Sequence, residues 1–182
     1  QYLFVDCKDK GTLDDFISQN LNLTQKLIIS YGIARAIQYL HSNNIVYRNI
    51  EPLNIFLDSN FYPYLYNFSR ARQTKFYFPF FLKKMTYEYM PPEFISDYER
   101  NQDSFKIDVY SFGITLFYLI TEKKPYINYS KDICDLLDDV KIGFRPEFPD
   151  DFPVELIEWK KLIINCWDQD PKNRMSFDQI LN

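Results

Sequence analysis

A single histidine, His41, in 182 residues rules out most imidazole bases, His-metal clusters and nucleophile–His pairs before any motif is sought. The cysteines Cys7, Cys134 and Cys166 are odd in number, far apart and without a CxxC pair. They outline neither a disulfide framework nor a zinc site. Chemistry is left to carboxylates, amides and arginine. These types stand together in Arg48-Asn49-Ile50-Glu51-Pro52-Leu53-Asn54, and Asn67-Phe68-Ser69 adds a further amide. Amides dominate both stretches. An amide has no proton that titrates near neutral pH, so it cannot act as a general base, and its oxygen is a weaker ligand for a hard cation than a carboxylate.

Composition narrows the partners. Lys and Arg total 21 against 25 Asp and Glu, a net charge of −4, with no basic excess to hold a phosphate polymer, so nucleic acid is not expected. The longest apolar stretch, Ile114 to Ile120, is far shorter than the ~20 residues of a membrane helix, and no membrane partner is expected. Cysteine usage without a disulfide pattern points to a reducing, intracellular compartment and hence to the cytoplasm. Sequons stand at Asn22, Asn67 and Asn128, but no signal peptide precedes them and glycosylation is not expected. Hydrophobic residues are 46% and aromatic ones 19% of the chain, enough for one ordinary core and too little chain for two.

The elements that must position these amides are legible in part. Tyr2 to Val5 reads as a strand that begins without an initiator Met, as if cut from something larger. Thr12 caps a short helix that ends near Asn20, with Asp14 and Asp15 in its first turn. From Asn22 to His41, Leu27, Tyr31, Ala34, Ile37 and Leu40 recur at helical spacing, with Asn22 and Gln25 as a capping-box variant. Short strands follow at Ile45 to Tyr47, Ile55 to Leu57 and Phe61 to Leu65, the last restricted to an edge by Pro63. Asp108 to Thr121 is apolar nearly all round, which predicts a helix buried on every side. Lys131 to Ile142 and Glu155 to Cys166 are helix-like between proline-rich loops.

Ile45 to Leu57 resembles the catalytic loop of protein kinases, H-R-D-L-x-x-x-N, with Asn49 and Asn54 at its aspartate and asparagine. Asn67-Phe68-Ser69 stands where that family has D-F-G, and Pro91-Pro92-Glu93 where it has A-P-E. Asp108 to Gly113 is similar to the family's central buried helix. Cys166 to Phe177 resembles the closing motif of tyrosine kinases and the tyrosine-kinase-like group. All five lie in register over nearly the whole chain.

The resemblance implies an α+β, protein-kinase-like fold: a mostly helical C-lobe with a short β hairpin, the N-lobe absent except for its last strand. Residues 1–182 would be a partial domain, hinge and C-lobe, with Val5 as gatekeeper and Asp6 to Lys10 as the hinge. Asn49 then occupies the catalytic-base position, Arg48 the arginine before it, and Asn67 with Asn54 the metal-binding positions. Glu51 replaces a basic residue that steadies the transferring phosphate, and Ser69 replaces a glycine. Asp108 would accept backbone N–H groups near Tyr47 and Arg48, and Glu93 would pair with Arg174. Arg48 either meets a phosphate on the segment Asn67 to Glu93, with Thr74, Tyr77, Thr86, Tyr87 and Tyr89 as acceptors, or bonds nearby backbone carbonyls or a carboxylate. Tyr47 and Phe68 would stack in the core.

For nucleotide, the resemblance implies adenine bonded to the hinge backbone at Asp6 and Lys8 over Phe56, which gives weak, metal-independent ATP binding and disfavours Mg²⁺. The function that follows is a pseudokinase acting as an interaction or allosteric module, with protein partners, among them an active kinase, and the chain's own upstream N-lobe. The alternative is a weakly active ATP-dependent Ser/Thr or Tyr kinase, which would need another carboxylate, Asp58 or Glu88, at the site. A third reading is a truncated product that aggregates through the exposed strand Tyr2 to Val5.

Overall fold

Reciprocal hydrogen bonds start the first two helices. The structure, a computed structural model, describes residues 11–74, 86–96 and 104–182. The expectations for Tyr2 to Val5 and for the hinge, Asp6 and Lys8 included, lie outside the described residues. Helix α1 (Leu13–Ile17) opens where the Asp15 carboxylate accepts from both the backbone N–H and the hydroxyl of Thr12, at 2.8 and 2.7 Å. It stops three residues before the expected end, and Asn20 turns the chain in a left-handed conformation. Helix α2 (Leu23–Ser42) opens on the expected box: Asn22 N–H donates to Gln25 Oε1 and Gln25 N–H to Asn22 Oδ1, each at 2.9 Å.

The buried stripe of α2 is Ile29, Ile33, Ala34, Ile37 and Leu40. Leu27 and Tyr31, expected in that stripe, are more than half exposed. They line an open apolar cleft with Trp159, Leu162 and Ile180, because the inward face of α2 is set by the isoleucine row. Lys26, at its start, reaches the end of the central helix, where its ammonium donates to Ile120 O at 3.3 Å and Glu122 Oε1 at 2.8 Å. A cation at a helix C-terminus is where the helix dipole favours one.

Among the described residues five short strands make two antiparallel sheets. In the first, β1 (Gly11–Thr12) and β4 (Pro63–Leu65) flank β3 (Ile55–Leu57), with Thr12 opposite Phe56 and Phe56 opposite Tyr64. Pro63 is on an edge strand, as a residue without an N–H must be. The second pairs β2 (Ile45–Val46) with β5 (Arg72–Gln73). The expected strands at Ile45 to Tyr47 and Phe61 to Leu65 are both shorter than read, and the hairpin gains Gly11–Thr12 as a third strand. The first sheet lies on α2 at Gly32, where an added Cβ would come within 2.5 Å of Pro63 Cγ and Cδ.

Helix α3 (Pro92–Ser96) is a short turn of helix before the central helix α4 (Lys106–Thr121). Every residue of α4 from Ile107 to Ile120 is buried, as its all-round apolar sequence predicts. Apolar side chains buried this fully contribute about 1.5–3 kcal/mol each against exposure. Against α4 stand α6 (Ile157–Cys166) and α7 (Phe177–Leu181), while α5 (Ile133–Lys141) packs on α3. The seam between α4 and α6 closes at Gly113, whose missing Cβ would lie 2.7 Å from Cys166 Cβ. Cys166 is fully buried, and desolvation pushes its thiol up to about 12. Among the described residues no helix is long and apolar enough to cross a membrane.

Candidate active site

The loop after β2 is held from below by α4. Asp108, fully buried, accepts from Tyr47 N–H at 2.8 Å and Arg48 N–H at 2.6 Å. These are the bonds the sequence predicts for it. Together they hold Arg48 in a left-handed conformation, φ 58°, which costs about 1–2 kcal/mol for a residue with a Cβ. His41 completes the anchor with Nε2 2.8 Å from Asp108 Oδ2, its ring packed on Phe105 and Phe177. The chain's lone histidine thus serves the loop's support. No local signal reveals this, since the two residues are 67 positions apart.

From that anchor the loop runs through buried Ile50 and Pro52, and a single 3₁₀ turn, Pro52–Asn54, delivers Asn54 into β3. Proline at the first position of the turn has no N–H to leave unpaired. Across from it, Asn67 is also left-handed, φ 57°, and faces the loop. The result is a closed circuit of three amides. Asn49 Nδ2 donates to the main-chain carbonyl of Asn67 at 3.0 Å, Asn67 Nδ2 to Asn54 Oδ1 at 3.3 Å, and Asn54 Nδ2 to the main-chain carbonyl of Asn49 at 3.2 Å. Ser69 Oγ donates to Asn67 Oδ1 at 2.6 Å, and Asn54 Nδ2 also reaches Glu51 Oε1 at 2.5 Å.

Glu51 lies half-buried beneath this circuit. Burial pushes its carboxyl above the ordinary glutamate range, opposed by hydrogen bonds with Thr86 and Asn54 and by the nearby Arg70 cation. Arg48, Asn49, Glu51, Thr86 and Tyr89 close around a space of about 10 Å³, room for roughly one water. Arg48 Nε donates to Arg70 O at 2.8 Å, which matches the carbonyl-bonding alternative. Asp58 accepts from Asn60 N–H and Tyr62 N–H in the hairpin turn, so it braces the hairpin; Glu88 raises Glu51 through its negative charge.

The remaining site residues divide. Phe56 is half-buried at the centre of the first sheet, edge-on to Tyr66 at 5.3 Å. Asp6 and Lys8, its expected companions at a nucleotide, and Tyr77 lie outside the described residues. Tyr47 is fully buried and meets Phe68 at 5.1 Å, but Phe68 is 45% exposed; the stack exists and half of it is surface, not core. Sequence reasoning missed Arg70, and it read Ser69 only as a replaced glycine and Thr86 only as a phosphate acceptor; their bonds to Asn67 and Glu51 come from loop packing.

The lower frame is intact. Arg174, buried, forms a two-pronged pair with Glu93 at 2.6 and 2.9 Å, and its Nε donates to Asp168 O at 2.9 Å. Its guanidinium lies over the Tyr110 ring, which meets Arg145 as well.

Metal does not fit the amide circuit. Mg²⁺ takes oxygen ligands in an octahedron and is usually held by one or two carboxylates. Here Asn54 Oδ1 faces an N–H and Asn67 Oδ1 takes a hydroxyl proton, while Glu51 is turned to Asn54 and Thr86. Among the described residues no group of three acidic, histidine or cysteine side chains is placed to hold a metal.

Comparison with known proteins agrees with this frame. The family model for the protein kinase domain matches residues 1–182, and kinases of that family use ATP and Mg²⁺. A probable serine/threonine-protein kinase of Dictyostelium discoideum is 35% identical over 169 residues, 91% of this chain and 12% of its own length. A protein kinase and PP2C-like domain-containing protein of Arabidopsis thaliana is 31% identical over 98% of the chain and 32% of its own length. A probable LIM domain-containing serine/threonine-protein kinase of Dictyostelium discoideum is 32% identical over 99% and 27% respectively. The chain therefore spans between 12% and 32% of the length of these relatives. With the family's motifs in register and Asp108, Glu93 and Arg174 in their supporting places, this chain belongs to the protein kinase domain family.

Proposed function

We propose that this chain is the hinge and C-lobe part of a pseudokinase of the tyrosine-kinase-like kind, a domain that has lost phosphotransfer and works in the cytoplasm as an interaction or allosteric module. One observation carries the reading. At the catalytic-base position Asn49 presents an amide whose Nδ2 is bonded to Asn67 O, and an amide accepts no proton from a substrate hydroxyl. Losing a positioned base lowers the rate about 10²–10⁴-fold. Glu51, in the place of a phosphate-steadying cation, adds a negative group where negative charge would develop. Protein partners, an active kinase among them, fit a domain whose frame persists while its chemistry is absent.

ATP, on this reading, binds weakly and without metal, held by the hinge backbone at Asp6 and Lys8 over Phe56. The competing reading is a weakly active Ser/Thr or Tyr kinase, favoured by the named activities of the relatives and by the intact Asp108 anchor. A phosphotransfer assay on the protein with its own N-lobe, with ATP and Mg²⁺ or Mn²⁺ and with Asn49→Asp as reference, separates the two. The expected result is no product above the no-enzyme background. Metal-dependent product from the unaltered protein overturns the proposal.

A further inference from the structure

Three asparagines at the site do more than lack charge: each donates its side-chain N–H to the next, and the circuit closes on itself. Asn49 and Asn67 stand where the family carries aspartates, and Asn54 where it carries asparagine. A carboxylate at position 49 or 67 has no N–H to give. It would leave Asn67 O without its donor, or set a negative oxygen against Asn54 Oδ1, and a proton, a cation, a water or a turned amide would have to fill the gap. The two replacements are matched: both supply a donor, to the same ring, across the junction where the catalytic loop meets the Asn67 turn. Ser69 satisfies the Asn67 oxygen that a metal would otherwise claim, and Glu51 takes a second bond from Asn54.

We propose that this amide ring is a cation-independent clasp, which ties the loop Arg48–Asn54 to the Asn67–Ser69 turn by neutral hydrogen bonds in place of a divalent ion. The proposal rests on the pseudokinase reading and deepens it. It makes the protein's native state indifferent to divalent metal, with its own side chains performing the bridging.

The test is thermal unfolding of the protein carrying this chain with its own flanking residues, in EDTA, Mg²⁺ or Mn²⁺, for the unaltered chain, Asn49→Ala, Asn67→Ala and the double variant. In the unaltered chain neither ion moves the midpoint. Asn49→Ala lowers it by about 2–4 °C, the loss of one ring bond in a chain of this size, and Asn67→Ala lowers it by more, since it also takes the acceptor from the Ser69 hydroxyl and puts alanine on a left-handed backbone. The double variant falls by less than the sum, because a broken ring no longer couples its remaining links. Saturable Mn²⁺ stabilisation of the unaltered chain, or strictly additive losses, overturns the proposal. Should a variant fail to fold, electron paramagnetic resonance of Mn²⁺ with the unaltered chain decides: free ion throughout supports the clasp, and one bound ion overturns it. Phosphotransfer without bound ion would sink the proposed function and leave the clasp standing; bound ion without phosphotransfer would do the reverse.

Discussion

Glu51 is the residue on which charge and burial pull in opposite directions. Its carboxyl is desolvated, which raises its pKa, and the bonds with Thr86 and Asn54 and the Arg70 cation recover part of that penalty. A carboxyl whose pKa is raised by folding holds its proton in the native state after the unfolded chain has lost it. Stability is therefore unaffected below the ordinary glutamate range, falls as pH rises from there, and stays reduced above the raised pKa. Gln at this position keeps an oxygen for Asn54 and does not titrate. Glu51→Gln should unfold at nearly the same temperature as the unaltered chain near pH 4 and at a higher temperature near pH 7, with the gap opening between. A gap that is constant with pH would mean that Glu51 is ionised without penalty. The identities of Asn49, Glu51, Asn54 and Asn67 were open to reading in the sequence. Their ring was not, because amide orientation is set by whichever partner the fold brings opposite, and Asn67 arrives 18 positions after Asn49.

At the scale of elements, what the sequence discloses follows from period and length. The all-round apolar run of α4 and the Asn22–Gln25 box carry their own signal, and both elements stand where expected. The two-residue strands β1 and β5 and the five-residue helices α3 and α7 are too short for any period to show, and tertiary pairing alone defines them. Gly32 illustrates a residue whose reason lies in another element. Alanine is favoured over glycine in a helix by about 1 kcal/mol, yet its methyl would enter the Pro63 ring at 2.5 Å. Overpacking of this kind costs about 1–3 kcal/mol. Gly32→Ala should lower the urea midpoint, and adding Pro63→Ala, which deletes the colliding atoms, should restore it to at least the starting value. If Gly32→Ala alone stabilises, the first sheet does not press on α2.

Over the whole molecule, the buried Glu93–Arg174 pair joins segments far apart in the chain. Glu93 and Arg174 are 81 positions apart, and the pair fastens α3 to the loop before α7 while Arg174 also bonds the Asp168 and Lys106 carbonyls. Removing one member of a buried pair leaves the other uncompensated, at about 3–5 kcal/mol. Arg174→Ala should lose stability of that order in urea denaturation, and Arg174→Lys should recover little of it, since one ammonium cannot replace a fork with two carboxylate bonds. A loss under 1 kcal/mol, roughly the value of an exposed pair, would show that α3 is fastened by other means.

The α4–α6 seam has a further consequence, for sulfur. Of the two described cysteines, Cys134 is exposed and Cys166 is buried, its thiol kept protonated by the closeness of Gly113 and its neighbours. Thiolate is the form that oxidants and alkylating agents attack. Of these two, an oxidant meets Cys134 first and reaches Cys166 only when α4 and α6 part, so that the native fold sets the order in which this pair of sulfurs is damaged.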